Sequence, residues 1–185
     1  MSAETKINIK IFKTVTKAIA ASADLDIMCN HLSQLLVTTL DIKGCGIFIL
    51  NPQTEELELL ASFGLSMKYL SKGLIRASKS MAETFKGKPV VTADVSKDKT
   101  LQYPEEAKKE GIAAIISIPV VFLGEVIGTL RLYDHQVWDI SDQDLDSLKL
   151  LGENIGLAMT YTRLLNAIQS IDEVINSSLP RDLLL

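Results

Sequence analysis

The chain has 185 residues, 47% of them hydrophobic and 23% charged, with a formal net charge of −4. That length suits one domain with some extra helix at its ends, and the apolar content is enough for a sizeable core. The slight acidity leaves no basic footprint, so nucleic acid and anionic membrane surfaces are not expected as partners.

Residues 7–21 read as a first helix, because Ile11, Val15 and Ala18 recur at helical spacing beside Phe12 and Ile19. ASADLD interrupts it, and Asp24 is placed to cap a second helix that runs to about Leu40. Met28, Leu32, Leu35, Leu36 and Thr39 form its expected packing face. Cys29 falls in this helix and Cys45 at the start of a strand. Cys29 and His31 are two residues apart and so point to different sides of the helix, which argues for inert buried thiols over a metal pair.

CGIFIL (45–50) reads as a buried strand, NPQTEE as a turn, and LELLASF (57–63) as the returning strand. The stretch 65–111 is a mixture of short pieces. It holds short helices at 67–70 and 80–85, a strand at 89–92 and a helix of EEAKKE stopped by Gly111. Long irregular stretches inside compact domains are often binding loops. IISIPVVFLGEVIGTLRLYD (115–134) folds back on itself around Leu123-Gly124. Ser141 and Asp144 then form a capping box for a long last helix. Leu157, Tyr161, Leu164, Ile168, Ile171 and Ile175 follow one another along it at spacings of 4, 3, 4, 3 and 4, and Pro180 ends the pattern. This is a narrow a/d seam suited to pairing with another helix.

Paired hairpins imply an antiparallel sheet, so the fold class is α+β. Neither CGIFIL nor AAIISIPVVF alternates, so both sheet faces must be covered. Helices take one face and the mixed region, by elimination, takes the other. The longest apolar run, 112–123, contains Ser117 and Pro119 and is too short to cross a bilayer. MSAETKINIK lacks the basic and apolar regions of a signal peptide, so a cytoplasmic location is expected.

Taken together, ELLASFGL, the stretch PVVTADVSKDKTLQYPEEAKKEGIAAIISIPVVFLGEVIGTLRLYD and WDISDQDLDSLKLLGENIGLAM resemble a GAF domain over roughly 24–159. Gly111, Ser117-x-Pro119, Gly124 and Gly128-x-Leu130 carry the likeness. It implies a central six-stranded antiparallel sheet, with dimerising helices on one face and a ligand pocket under loops on the other. The division then reads 1–23 as an N-terminal helix for a dimer bundle, 24–160 as the sensor domain and 161–185 as a helical extension. The Asn-Lys-x-x-Phe-x-x-x-Asp-Glu motif of cyclic-nucleotide-binding members is missing. Cys29, Cys45, His31 and His135 all fall outside the 65–111 region, against bilin attachment, a haem or metal site and methionine-sulfoxide reduction.

Arg131 is the residue that does not suit its apolar strand. Thr129, Arg131 and Tyr133 share one face, while Val126, Gly128, Leu130 and Leu132 share the smoother face expected under the helices. With Leu123-Gly124 as a two-residue turn, Phe122 pairs with Glu125 and Ile116 lies opposite Arg131. Three fates compete for the charge: pairing with Asp94 or Glu83, snorkelling to solvent, or binding an anionic ligand. The expected ligand site comprises Arg131, Ser117, Thr129, Tyr133, Tyr103, Phe63, Tyr69, Met81, Phe85 and Asp94, each aromatic or Met residue having core packing as its alternative.

No nucleophile–base set or phosphate loop is evident. GLIRASKS and FKGKP lack the P-loop pattern, and Glu105 and Glu106 with Lys108 and Lys109 read as a solvated helix face. The expectation is therefore a non-enzymatic regulatory sensor of an unidentified, anionic small molecule, with no catalytic or metal residues and no assignable cofactor. It is expected to act as a homodimer through Leu157, Tyr161, Leu164, Ile168 and Ile171, joined by Ile11 and Val15, and to signal to a separate output protein. Packing of the last helix on the first is the alternative for the seam. A small-molecule enzyme and a purely structural dimerisation module are the alternatives for the function.

Overall fold

The computed structural model describes residues 6–51, 53–54, 56–73, 75–76 and 82–178. Helix α1 (Ile9–Ala20) is capped by the Asn8 side chain, which accepts from the Lys10 N–H. Helix α2 (Leu25–Leu40) is capped by Asp24, which accepts from the Ile27 N–H as its sequence implies. Its buried face is rotated from the expected one. Met28, Leu32, Leu36 and Leu40 form one buried row and Cys29 and Ser33 the next, while Leu35 is half-buried and Thr39 exposed.

Strands β1 (Gly44–Asn51) and β2 (Glu56–Phe63) make the first hairpin. Helix α3 (Met67–Leu70), strand β3 (Ile75–Arg76), a 3-10 turn (Thr84–Lys86), strand β4 (Val90–Thr92) and helix α4 (Pro104–Glu110) follow. The short helix expected at 80–85 begins outside the described residues, and the described part is the 3-10 turn. Strands β5 (Ala114–Phe122) and β6 (Glu125–Asp134) make the second hairpin, and α5 (Asp142–Ser178) closes the chain's described part. Pro180 lies outside the described residues.

The sheet is antiparallel, in the order β3-β2-β1-β6-β5-β4. Five strands form its body, and β3 adds a two-residue edge through Glu56–Arg76 and Leu57–Ile75. Leu123 and Gly124 both take positive φ, 51° and 82°, which suits the tight turn between β5 and β6. Phe122 does pair with Glu125. A bulge between Val120 and Val121 then shifts the register by one, so Ser117, not Ile116, lies opposite Arg131.

One sheet face carries Cys45, Ile47, Ala61, Ile116, Ile118, Leu130 and Leu132 into a core with α1, α2 and α5. Ile11 and Val15 belong to this core and are buried within the chain, which removes them from the expected dimer surface. Helix α5 lies directly on β5. A Cβ at Gly152 or Gly156 would collide with the backbone carbonyl oxygen of Pro119 or Val121 respectively. The Ser141 hydroxyl caps α5 by accepting from the Asp144 N–H. The buried Asp144 carboxylate, expected to reach back to Ser141, instead accepts from the Lys6 and Ile7 amides, both at 2.9 Å, and ties the start of the described chain to the last helix.

The opposite face carries Ile115 and Tyr133 under Tyr69, Val95, Ala107 and Ile112, with Phe48, Leu57 and Ile75 as a second cluster. Short elements thus cover the face that the helices leave.

Candidate functional site

Arg131 stands on this second face, in the middle of β6. Its two strand neighbours are small: Gly46 on β1 and Ser117 on β5. The Phe48 ring fills the place that a side chain at Gly46 would take, and the guanidinium lies under α3 and the loop that precedes α4. The residue is only 4% exposed, and among the described residues its Nε has no hydrogen-bond partner. Among the described residues no carboxylate comes within ion-pair distance of it. The two carboxylates considered for pairing are engaged elsewhere. Asp94 contacts Lys97 at 2.8 Å and Ser96 at 2.6 Å, and the Lys97 hydrogen bond helps hold its carboxyl down at about 2. Glu83 contacts Lys86 at 2.7 Å and Lys88 at 3.8 Å.

The contact that Arg131 does make is aromatic: its guanidinium carbon lies 5.5 Å from the centre of the Tyr133 ring. Tyr133 in turn meets Tyr69 edge-on at 5.8 Å. Burial pushes the Tyr133 hydroxyl above its ordinary range, and among the described residues that hydroxyl also lacks a partner. A third unpartnered buried atom, Thr84 Oγ1, sits in the 3-10 turn that packs on β5 and β6. Buried polar atoms are nearly always satisfied, so orphaned ones gathered on one face ask for an explanation.

Tyr69, Lys72, Ile75, Leu101, Gln102, Tyr103 and Arg131 enclose a cavity of about 10 Å³. That is room for about one water molecule. The Tyr103 hydroxyl closes it on one side by seating against Gly73, where a Cβ would come within 2.7 Å of it. Of the expected site residues, the structure thus gathers Arg131, Tyr69 and Tyr103, with Ser117 and Tyr133 beside them on the sheet. Thr129 is on the same face, but its hydroxyl donates to the Ile118 carbonyl at 3.0 Å. Phe85 packs with Phe48, Leu57 and Ile75 instead of lining the cavity. Phe63 is exposed at the end of β2 and Asp94 lies in the loop after β4, so neither joins the site. Met81 lies outside the described residues.

Sequence reasoning missed Lys72. Its Nζ donates to the Tyr69 carbonyl at 3.0 Å and lies 3.6 Å from the centre of the Tyr69 ring. Burial first, and the Arg131 charge second, push its ammonium down to about 8. A wider groove of about 450 Å³ adjoins the cavity, and a separate groove of about 520 Å³ lies at the hairpin ends near Arg163. Both thiols lie on the helix side of the sheet, and burial pushes Cys29 and Cys45 each up to about 12. Among the described residues no three metal-ligating side chains are brought together, and no helix is long and apolar enough to cross a membrane.

Several solved structures share this fold. The GAF domain from a phosphoenolpyruvate-protein phosphotransferase of Coxiella burnetii superposes with a TM-score of 0.75 at 19% identity, covering 86% of this chain and 96% of that one. A free methionine-R-sulfoxide reductase from Neisseria meningitidis, in complex with its substrate, gives 0.71 at 15% identity, covering 89% and 98%. Residues 122 to 287 of a methyl-accepting chemotaxis protein give 0.66 at 21% identity, covering 83% and 99%. At such identities the likeness speaks to fold alone. No protein of curated function matches the chain. The family comparison is more direct, because it matches residues 22–160, the span that holds the whole sheet, α2 and the first half of α5. With the Arg131 face covered by short elements and the other by helices, the chain belongs to the GAF domain family.

Proposed function

We propose that this GAF domain is a regulatory sensor that binds a small anionic molecule through Arg131, and that it does so as a helix-paired dimer. The observation that carries the reading is the buried Arg131 guanidinium, which among the described residues has an unpartnered Nε and no ion pair. A fixed fork of donors in a water-poor cavity is suited to a carboxylate or phosphate. The cavity at its present size admits about one water, so a ligand must displace the Lys72 or Tyr103 side chain on entering. That movement couples occupancy to α3 and to the loop before α4. GAF domains commonly sense small molecules in signalling proteins, and the chemotaxis-protein neighbour is in keeping with such a role.

A non-enzymatic role is the better supported one. The reductase neighbour shows that the fold can house an enzyme, but here both cysteines sit on the far side of the sheet as protonated thiols. Titration calorimetry with a panel of carboxylates and phosphate esters, on wild type and Arg131→Ala, tests the reading. The expected result is a ligand whose affinity falls by about tenfold or more in the variant, as loss of a charge-assisted hydrogen bond implies. Unchanged affinity for the best ligand would remove Arg131 from the site.

A further inference from the structure

Lys72 and Ile75 line two spaces at once: the Arg131 cavity and the adjoining groove of about 450 Å³. They are the partition between them. The apolar walls of the groove are Phe48, Leu57, Leu59, Leu70 and Ile75, with Glu58 at its edge. Leu59 is exposed there, although Leu57 and Phe48 beneath it are buried. An open apolar groove thus ends at two cations, Lys72 and then Arg131. Among the described residues neither has a carboxylate in ion-pair contact. Glu110, which approaches from α4, is engaged by Ser66 at 2.8 Å and 2.5 Å and by Lys43 at 3.6 Å.

We propose that Lys72 is a second, movable anchor of the Arg131 site. The ligand class is then an amphipathic monocarboxylate whose apolar body lies along Phe48, Leu57, Leu59 and Leu70 while its carboxylate bridges Lys72 and Arg131. This rests on the anion-binding reading of Arg131 given above. The charge pattern sets the class. Two cations at the closed end call for one anion there, Glu58 at the open side repels a second, and the walls between bury hydrocarbon. A flexible four-carbon stem lets Lys72 swing from the Tyr69 ring to a carboxylate without moving its backbone.

Proton linkage follows from the same geometry. Lys72 is faced by Tyr69 of α3, Tyr103, Glu106 and Glu110 of α4 and its flank, and Arg131 of β6. Its ammonium titrates near 8 in the unbound protein, and a carboxylate beside it favours the charged form and moves that value up. Binding at pH 8 therefore takes up protons, and affinity falls as pH rises above 8. Below about pH 7 Lys72 is charged in both states and adds no pH dependence.

Calorimetry with octanoate, octanamide, succinate and inorganic phosphate, on wild type, Lys72→Met, Lys72→Arg and Arg131→Gln, tests this. Octanoate is expected to bind wild type, with the other three about tenfold or more weaker. Lys72→Met is expected to weaken octanoate about tenfold and to abolish proton uptake at pH 8, measured in two buffers of different ionisation enthalpy. Lys72→Arg is expected to keep most of the affinity. Octanoate binding that is equal in wild type and Lys72→Met would overturn the role of Lys72. Succinate or phosphate binding better than octanoate, with Arg131→Gln abolishing it, would overturn the amphipathic class and leave the anion site standing. Failure of all three anions on wild type would overturn both.

Discussion

Arg131 sits at 4% exposure with an unpartnered Nε, and that arrangement has an energetic signature. An unsatisfied buried donor costs about 1–3 kcal/mol, and more when it is charged. The Tyr133 ring at 5.5 Å returns about 0.5–2 kcal/mol. The balance is a net cost to the fold. Arg131→Met retains the apolar stem and removes the charge. It is expected to raise the unfolding free energy by about 1 kcal/mol, seen as a melting temperature about 2–4 °C higher, while abolishing acid binding. A fall of more than about 2 kcal/mol in this variant would show that the guanidinium holds the fold together.

At the scale of the element, the seating of α5 on β5 is set by two missing side chains. Gly152 and Gly156 let the helix backbone approach the Pro119 and Val121 carbonyls. Two effects of Gly156→Ala oppose each other. Alanine is better in a helix by about 1 kcal/mol. Overpacking against rigid backbone costs about 1–3 kcal/mol. The added carbon at 156 would press on the oxygen, carbon and nitrogen of Val121 together, so the high end of that range applies. Thermal unfolding of Gly156→Ala is expected to fall by several degrees, and a raised midpoint would mean that the helix is not seated this way. Elements were also where the sequence was most readable. Apolar spacing and the Asp24 and Ser141 caps located the helices, because those signals are local. The face assignment of Arg131 was legible for the same reason, since residues 128–134 lie beyond the bulge and alternate without interruption. Its partner was not, because the extra residue of the bulge, Ile127, is an ordinary aliphatic, and the neighbouring Gly128 reads as room for a packed element instead of as the mark of a bulge. Ile11 and Val15 misled because an amphipathic helix shows the same stripe whether it covers its own core or a partner's. Lys72 left no signal at all: a lysine in a turn normally reaches water, and only the packing of Tyr69 and Tyr103 around it makes this one different. The walls of the Arg131 site come from elements far apart in sequence, which no periodicity reports.

For the whole molecule, the feature that the single chain leaves unresolved is the outer face of α5. Leu150, Leu157, Tyr161, Leu164, Ile168, Ile171 and Ile175 are all exposed, and the first helix does not cover them because its apolar face is spent on α2 and the core. Their spacing extends the a/d seam back to Leu150, with Asn154 at the a position between Leu150 and Leu157. A seam from 150 to 175 is roughly 40 Å long, far more apolar length than a monomer leaves in water without reason. A second copy with the same seam would cover it in full, and a polar Asn at one a position favours a parallel, in-register pair. Light scattering is expected to give a dimer for wild type and a monomer for the Ile168→Asp, Ile171→Asp variant, whose free-standing stretch of helix leaves the domain core untouched. Orientation has its own test. In a parallel pair residue 168 faces itself across the seam, so Ile168→Cys is expected to form a disulfide-linked dimer under mild oxidation, with the buried Cys29 and Cys45 as silent bystanders. An antiparallel pair would separate the two thiols along the helices and leave the chain uncrosslinked. A parallel pair would also place the two Arg131 sites at the same end of a shared helical stalk, whereas an antiparallel pair would place them at opposite ends.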